Sequence, residues 1–102
     1  MEHVWTDVFG EEVILTEEVK QVIFTKHPEV RRFFNRVEKV LAMPDTVQRS
    51  IIDVRVSLYY RFYPDIFNGK FIVVVVKRVD RKFISTLYIT DKIKIGGILW
   101  PS

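Results

Sequence analysis

The chain has 102 residues, a formal net charge of +3 and no cysteine. This length corresponds to one domain, since single domains commonly have about 100–150 residues. The lack of cysteine excludes a disulfide scaffold, a thiolate zinc site and a cysteine nucleophile. The longest apolar run has six residues, whereas a membrane-spanning helix needs about 20. Because the N-terminus also lacks a signal-peptide pattern, we expect a soluble cytoplasmic protein with no membrane partner.

Charge is unevenly distributed along the sequence. Residues 1–18 carry six acidic side chains and no Lys or Arg, so their charge is −6, and residues 19–102 carry +9. A basic domain favours a polyanionic partner such as nucleic acid, although stable proteins without such a partner also have basic surfaces. The N-terminal acids are expected either to begin a helix or to lie over the basic surface and compete with phosphate.

The first fifteen residues predict a strand or a hairpin. Their apolar side chains alternate weakly around one turn former, Gly10, which is typical of such an element. Within a single domain of residues 1–102, we therefore expect 1–12 to form a peripheral strand or arm. His3 falls in this part and is expected to lie in a frayed end.

Two helices are predicted next. Thr16 is a suitable N-cap for a short helix that ends by Lys26, because the residue before a proline disfavours helical geometry. Pro28 then begins a second helix, which ends near Met43. Apolar side chains recur along this second helix at helical spacing, so one of its faces is predicted to belong to the core. These side chains are Val30, Phe33, Phe34, Val37, Val40 and Leu41.

The rest of the chain predicts antiparallel strands. Residues 54–63 alternate between apolar and polar side chains, 71–78 are mostly β-branched, and 83–90 alternate again. Shorter strands are predicted within 47–52 and after the basic segment 91–97. The fold class is therefore α+β, with two N-terminal helices packed on one face of an antiparallel sheet of about four strands.

The uncovered face of this sheet is where we expect a ligand. A tight turn at Asp80-Arg81 would pair Val73 with Tyr88 and Val75 with Thr86. This register turns Lys77, Thr86, Tyr88 and Thr90 outward, and it turns Phe83, Leu87 and Ile89 towards the helices. The polar side of the preceding strand is expected to join the outward set with Arg55, Ser57, Tyr59, Arg61 and Tyr63.

Cations and phenol rings interleave on this predicted surface. Arg and Lys attract phosphate, and bases stack on Tyr, so the pattern suits single-stranded RNA. The same residue types are equally common on an ordinary solvated sheet face. Pattern alone leaves both interpretations open.

His27 is the candidate for proton transfer, because imidazole titrates near neutral pH. It can serve as general base or acid towards a ribose 2′-OH, or it can simply cap the second helix. The sequence has no cluster at metal-ligand spacing and no GxSxG, P-loop or GxGxxG motif, so we expect no metal and no cofactor. The side chains that remain available for catalysis are those of His, Arg, Lys, Tyr and Thr, and they suit metal-independent RNA cleavage.

Four short motifs carry a family resemblance. They are Lys26-His27-Pro28-Glu29 before the second helix, the strand 71–77, the strand 86–92, and the terminal segment 97–100. In this order they resemble the phage-associated barnase/EndoU/colicin/RelE-like nuclease family over residues 13–100. The resemblance implies a small α+β ribonuclease that acts without metal, as a toxin or a processing enzyme.

The resemblance also implies a set of site residues. By position, His27, Thr86, Tyr88 and Lys92 correspond to its catalytic motif residues. Members of the family often have a second histidine where this chain has Val22. Either the second proton-transfer or charge-stabilising role is supplied by one of Tyr88, Lys92, Lys77 or Arg61, or the activity has been lost.

The predicted function is therefore an endoribonuclease-like domain, a toxin or a phage-derived nuclease. Its predicted catalytic residues are His27, Thr86, Tyr88 and Lys92, and its predicted substrate-binding residues are Arg55, Tyr59, Arg61 and Lys77. The expected partners are RNA and a cognate inhibitor protein, and a strand edge would allow a homodimer. The alternative is a non-catalytic module that binds RNA or another protein.

Overall fold

A computed structural model describes residues 2–102, which form one mixed sheet with helices on one face. The strands are β1 (His3–Thr6), β2 (Glu12–Leu15), β3 (Thr46–Arg49), β4 (Val56–Tyr63), β5 (Lys70–Arg78), β6 (Lys82–Thr90) and β7 (Gly97–Trp100). The helices are α1 (Glu17–Lys26), a 3-10 helix (Pro28–Arg36) and α2 (Val37–Ala42). The α+β class is confirmed.

The sheet is larger than predicted. It has seven strands in the order β1-β2-β6-β5-β4-β3-β7, where we expected about four. All neighbours are antiparallel except β2 and β6, which are parallel. The short strands at the two edges were predicted from local patterns, but their joining into one sheet with the central strands was not. It depends on the pairing of β2 with β6 and of β3 with β7, which are distant in sequence.

The N-terminal hairpin is present, with β1 paired to β2 and Gly10 in the turn at a φ of +80°. The prediction that His3 is frayed is wrong. His3 pairs with Leu15, its ring stacks on Trp5 at a centroid distance of 5.2 Å, and its Nε2 lies 3.3 Å from Lys20 Nζ. Trp5 packs against the main core, and this packing holds the strand in place.

The first helix begins as predicted, because the Thr16 hydroxyl accepts a hydrogen bond from the backbone N–H of Val19 at 3.3 Å. The second predicted helix is divided instead into the 3-10 helix and α2. Phe34 contacts both Trp5 and Phe24, and Phe33 contacts Phe67. Tertiary packing on several sides therefore overrides the α-helical spacing of the apolar residues.

Two apolar clusters lie on opposite faces of the sheet. The larger one joins the helices to the strands through buried side chains that include Ile23, Val37, Leu41, Val74 and Leu87. The smaller one consists of Leu58, Tyr60 and Val73, bordered by Val56, Phe71, Val75, Tyr88 and Ile93. We call this second side, which no helix covers, the open face.

The predicted orientation of β4 is wrong. Tyr59, Arg61 and Tyr63 point towards the helices, and Leu58 and Tyr60 belong to the open face. Tyr59 is fully buried because its hydroxyl donates a hydrogen bond to the carboxylate of Asp7 at 2.6 Å. A polar tip with a buried partner is compatible with the core, so alternation of polarity did not identify the solvent side.

The predicted register of β5 and β6 is confirmed for Val73 with Tyr88 and Val75 with Thr86. Beyond that point the pairing skips Ser85, and Val76 pairs with Ile84. The predicted tight turn at Asp80-Arg81 is wrong, because Arg78 pairs with Lys82 and residues 79–81 form the turn. The bulge at Ser85 inserts one residue and reverses the alternation. As a result Ile84 lies in the helix-side core, and Phe83 pairs with Lys77 instead of facing the helices.

The connection from β6 to β7 crosses the open face, because three strands separate β6 from β7 in the sheet. Ile93 packs on the open-face cluster, and the backbone N–H of Lys94 donates to the Tyr60 hydroxyl at 3.0 Å. Further along, the N–H of Gly96 donates to Gln48 Oε1 at 3.2 Å. We call residues 91–96 the strap.

Gly96 is expected to be essential for the closure of this strap. A Cβ atom at this position would lie 2.0 Å from the carbonyl oxygen of Arg49, which is backbone and cannot move away freely. Gly96→Ala should therefore lower the free energy of unfolding by about 1–3 kcal/mol, measured by urea denaturation. Gly97→Ala is the matched control, because its Cβ would make only an ordinary 3.7 Å contact with the Arg49 side chain. Equal losses in the two variants would contradict the tight approach at Gly96.

Candidate nucleic-acid interface

A cavity of about 640 Å³ opens on the open face, between the strap and the loop that follows β3. Its floor consists of strand residues, namely Val56, Leu58, Val75, Thr86 and Tyr88. Its walls consist of Arg49, Ser50, Ile51 and Ile52 on one side and Lys94 and Ile95 on the other. The strap that Tyr60 anchors therefore forms one wall of the open-face cavity.

All the charge in the lining of this cavity is positive. Lys94 contributes a cation, and the lining contains no Asp or Glu. Arg49 borders the cavity at the end of β3, but its pairing with Ser57 turns its side chain to the helix side, where it lines a second cavity together with Glu11. Among residues 2–102, Lys94 takes part in no ion pair. A positive charge beside an apolar floor attracts an anionic ligand that also carries apolar surface.

Tyr88 connects the cavity to His27. The centroids of the two rings are 6.0 Å apart with an interplanar angle of 36°. This contact is possible because β2 covers β6 only at Lys82 and Phe83, so the second half of β6 lies at the edge of the sheet beside α1. Burial raises the pKa of Tyr88, and its phenol is therefore protonated at neutral pH and can donate a hydrogen bond.

His27 itself lies at the junction between α1 and the 3-10 helix. Its backbone N–H donates to the carbonyl of Ile23 at 2.7 Å, which ends α1. The side chain makes no capping hydrogen bond to the 3-10 helix in the described part of the chain. The imidazole is 34% exposed, and its Nδ1 lies 3.7 Å from Glu29 Oε2. The ring is thus held at one end by a carboxylate and remains accessible to a ligand.

Of the predicted catalytic residues, the structure places His27 in contact with Tyr88, and Tyr88 and Thr86 both line the cavity floor. Lys92 lies outside the cavity lining, in the exposed turn that begins the strap. Its backbone N–H donates to Thr90 Oγ1 at 3.3 Å. Lys94, two residues further along the same basic segment, is the lysine that lines the cavity.

The predicted substrate-binding residues do not form one surface. Tyr59 is fully buried and cannot stack on a base, and the Arg61 guanidinium donates to the carbonyl of Met43 on the helix side. Arg55 pairs with Asp53 at 3.2 Å outside this cavity. Lys77 also lies outside the lining, 3.8 Å from an oxygen of Asp53.

Sequence reasoning missed Arg49, Lys94 and the isoleucines of the cavity walls. The sequence could have indicated Lys94, because this residue belongs to the basic, glycine-ended segment 91–97. No sequence pattern indicated Arg49, since it ends a short strand whose position beside the strap depends on the pairing of β3 with β7.

The N-terminal acids do not line this cavity. Asp7 is buried between Lys82 and Tyr59, Glu11 pairs with Lys82 and Arg78, and these contacts occur at the opposite end of β6 from Tyr88. The hydrogen bonds from Lys82 and Arg78 lower the pKa of Glu11. These acids therefore hold the N-terminal hairpin against the sheet and lie away from Lys94.

Residues 2–102 include no helix with the length and hydropathy of a membrane span, and they bring no three His, Cys, Asp or Glu side chains together as a metal site. Comparison of the chain with protein-family models, with curated proteins and with solved structures finds no match.

Proposed function

We propose that this chain is a metal-independent endoribonuclease-like domain that binds single-stranded RNA at the open-face cavity and cleaves it beside His27. The observation that carries the proposal is the contact between His27 and Tyr88, since Tyr88 lines a cavity that presents the Lys94 cation and no acidic side chain. A proton-transfer group, a protonated phenol and a phosphate-binding cation are the parts that RNA cleavage needs without a metal.

In the proposed reaction, the ribose O2′ forms a bond to the adjacent phosphorus and the bond from phosphorus to O5′ breaks. His27 accepts the proton of the 2′-OH, and the Tyr88 phenol supplies a proton to the departing O5′. Lys94 stabilises the negative charge of the phosphorane, and the Thr86 hydroxyl donates a hydrogen bond to one of its oxygens. The products are a 2′,3′-cyclic phosphate and a 5′-hydroxyl end.

Incubation of the purified protein with mixed RNA tests this proposal. We expect products that end in a 2′,3′-cyclic phosphate, formed equally in the presence of EDTA, because no step uses a metal ion. An oligonucleotide with 2′-deoxyribose at every position should remain intact, since it lacks the attacking hydroxyl. The absence of any product from RNA at micromolar protein would contradict the catalytic proposal.

A second candidate function is binding of RNA without cleavage. It is favoured by the histidine content, because His27 reaches the cavity only through its contact with Tyr88, and the other histidine, His3, is held in β1 between Trp5 and Phe34. In that case the affinity for RNA should fall as salt concentration rises, because Lys94 would displace counterions from phosphate, and no product should form.

A further inference from the structure

Three isoleucines at the mouth of the open-face cavity are almost fully exposed. Ile51 is 83% exposed, Ile52 is 93% exposed and Ile95 is 86% exposed. Single apolar residues on a surface are ordinary, but these three line opposite walls of the same cavity. Ser50 holds one wall, because its hydroxyl accepts a hydrogen bond from the backbone N–H of Ile52 at 3.1 Å.

The chemistry of the lining restricts what can enter between these walls. The floor is apolar at Val56, Leu58 and Val75, and the only charges are positive. A ligand must therefore combine a flat or apolar body with negative charge at its edge, which describes a nucleobase and its phosphate. The volume of about 640 Å³ lies in the range of roughly 300–1,000 Å³ typical of pockets that take small organic ligands.

We infer that this cavity takes one unpaired base of the RNA, held between Ile51 and Ile52 on one wall and Ile95 on the other. The phosphate beside that base lies at Lys94. This inference rests on the proposed function, of which it specifies the substrate class. A base that is paired and stacked in an A-form duplex cannot enter a cavity between two walls, so the protein discriminates against duplex RNA.

The same cavity is tolerant of base identity. Its uncharged polar side chains are the hydroxyls of Ser50, Thr86 and Tyr88. A hydroxyl can both donate and accept hydrogen bonds and rotates to suit its partner, so it does not distinguish one base edge from another. Apolar contact with the face of the base is available to all four bases.

The test measures binding of a 2′-O-methyl hexanucleotide, which cannot be cleaved by 2′-OH attack. Its affinity is compared with that of the same strand annealed to its complement and with versions that carry one abasic position. We expect the duplex to bind more weakly, and one abasic position to reduce affinity about fivefold or more, as expected for loss of contact with one base.

The double substitution Ile52→Ser, Ile95→Ser isolates the contribution of the walls. It should reduce affinity for the intact strand by a similar factor and remove the additional effect of the abasic position. Val79→Ser is the matched control, since Val79 is 69% exposed and lies in the turn between β5 and β6, outside the cavity. Urea denaturation of both variants checks that their folds are equally stable.

Several results would overturn the inference. Binding and cleavage of RNA with equal affinity for single strand and duplex would contradict it while leaving the proposed function intact. The same holds if the isoleucine variant loses a dimeric state but binds RNA normally, because a second copy of the chain would then occupy the cavity. Failure of the wild-type protein to bind any RNA would reject both proposals.

Discussion

Asp7→Ala is expected to lower the free energy of unfolding by about 3–5 kcal/mol, the usual cost of removing one partner from a buried ion pair. The Asp7 side chain is fully buried and lies 2.6 Å from Lys82 Nζ. It also accepts hydrogen bonds from the Tyr59 hydroxyl at 2.6 Å and from the backbone N–H groups of Phe9 and Glu11 at 3.0 and 2.9 Å. Alanine would leave all four donors without this acceptor. Because a small domain has about 5–15 kcal/mol of stability, the loss should be evident in urea denaturation followed by tryptophan fluorescence.

Glu12→Ala is the matched control for this experiment. Glu12 belongs to the same acidic segment, but it is 67% exposed in its side chain and lies 3.8 Å from Arg81. Exposed ion pairs of this kind contribute about 0–1 kcal/mol. Similar losses in the two variants would contradict the assignment of Asp7 as the group that holds the hairpin on the sheet.

His27→Ala is expected to reduce the rate of RNA cleavage about 100- to 10,000-fold, the usual contribution of a positioned proton-transfer group. The fold should be retained, because the ring is partly exposed and only its backbone N–H ends α1. Cleavage rates are measured with saturating RNA, and unfolding curves are measured in parallel. Added imidazole should restore part of the activity of this variant, since it can occupy the space left by the side chain.

His3→Gln is the control for the loss of an imidazole. His3 lies in β1 against Trp5, away from the cavity lining, so this variant should cleave RNA at the wild-type rate after correction for its folded fraction. Equal activity of His27→Ala and the wild-type protein would remove His27 from the mechanism. Equal losses in the two histidine variants would indicate a general effect on stability.

Local patterns predicted much of the central fold. The Thr16 cap, the Gly10 turn and the β-branched strand 70–78 each depend on neighbouring residues, and each is present. The assembly of the short edge strands into one sheet and the 3-10 helix depend on contacts distant in sequence, such as the pairing of β3 with β7 and the packing of Phe34 on Trp5. No periodicity in the sequence encodes those contacts.

The site was also predicted only in part, because some of its residues depend on contacts distant in sequence. The pairing of Thr86 and Tyr88 was predicted from a tight turn, whereas Arg78 pairs with Lys82 across three residues. The bulge at Ser85 compensates for the longer turn, and for that reason Thr86 and Tyr88 lie on the open face as predicted. The orientation of β4 depends on a hydrogen bond between Tyr59 and Asp7, which are 52 residues apart. The sequence does not distinguish a buried tyrosine whose hydroxyl has a buried partner from a tyrosine on the surface. The polarity pattern therefore placed Tyr59 on the wrong side of the sheet.

The family resemblance implied that His27 and Tyr88 belong to one site, but a contact between the two rings was not predicted. The structure supplies its physical basis, because α1 packs on β6 and ends beside the uncovered half of that strand. The crossing of the strap over the open face was not predicted. It follows from the distant position of β7 in the sheet, and it creates the wall that carries Lys94 and Ile95.

An NMR titration of the isotope-labelled protein with a non-cleavable 2′-O-methyl oligonucleotide tests the location of the RNA site most directly. We expect the largest chemical-shift changes at Thr86, Tyr88, Lys94 and Ile95 on the open face, together with the imidazole of His27. The helix-side residues around Arg61 and the acidic hairpin should change little. Changes confined to the helix side or to the N-terminal hairpin, or no changes at any oligonucleotide concentration, would contradict an RNA site on the open face.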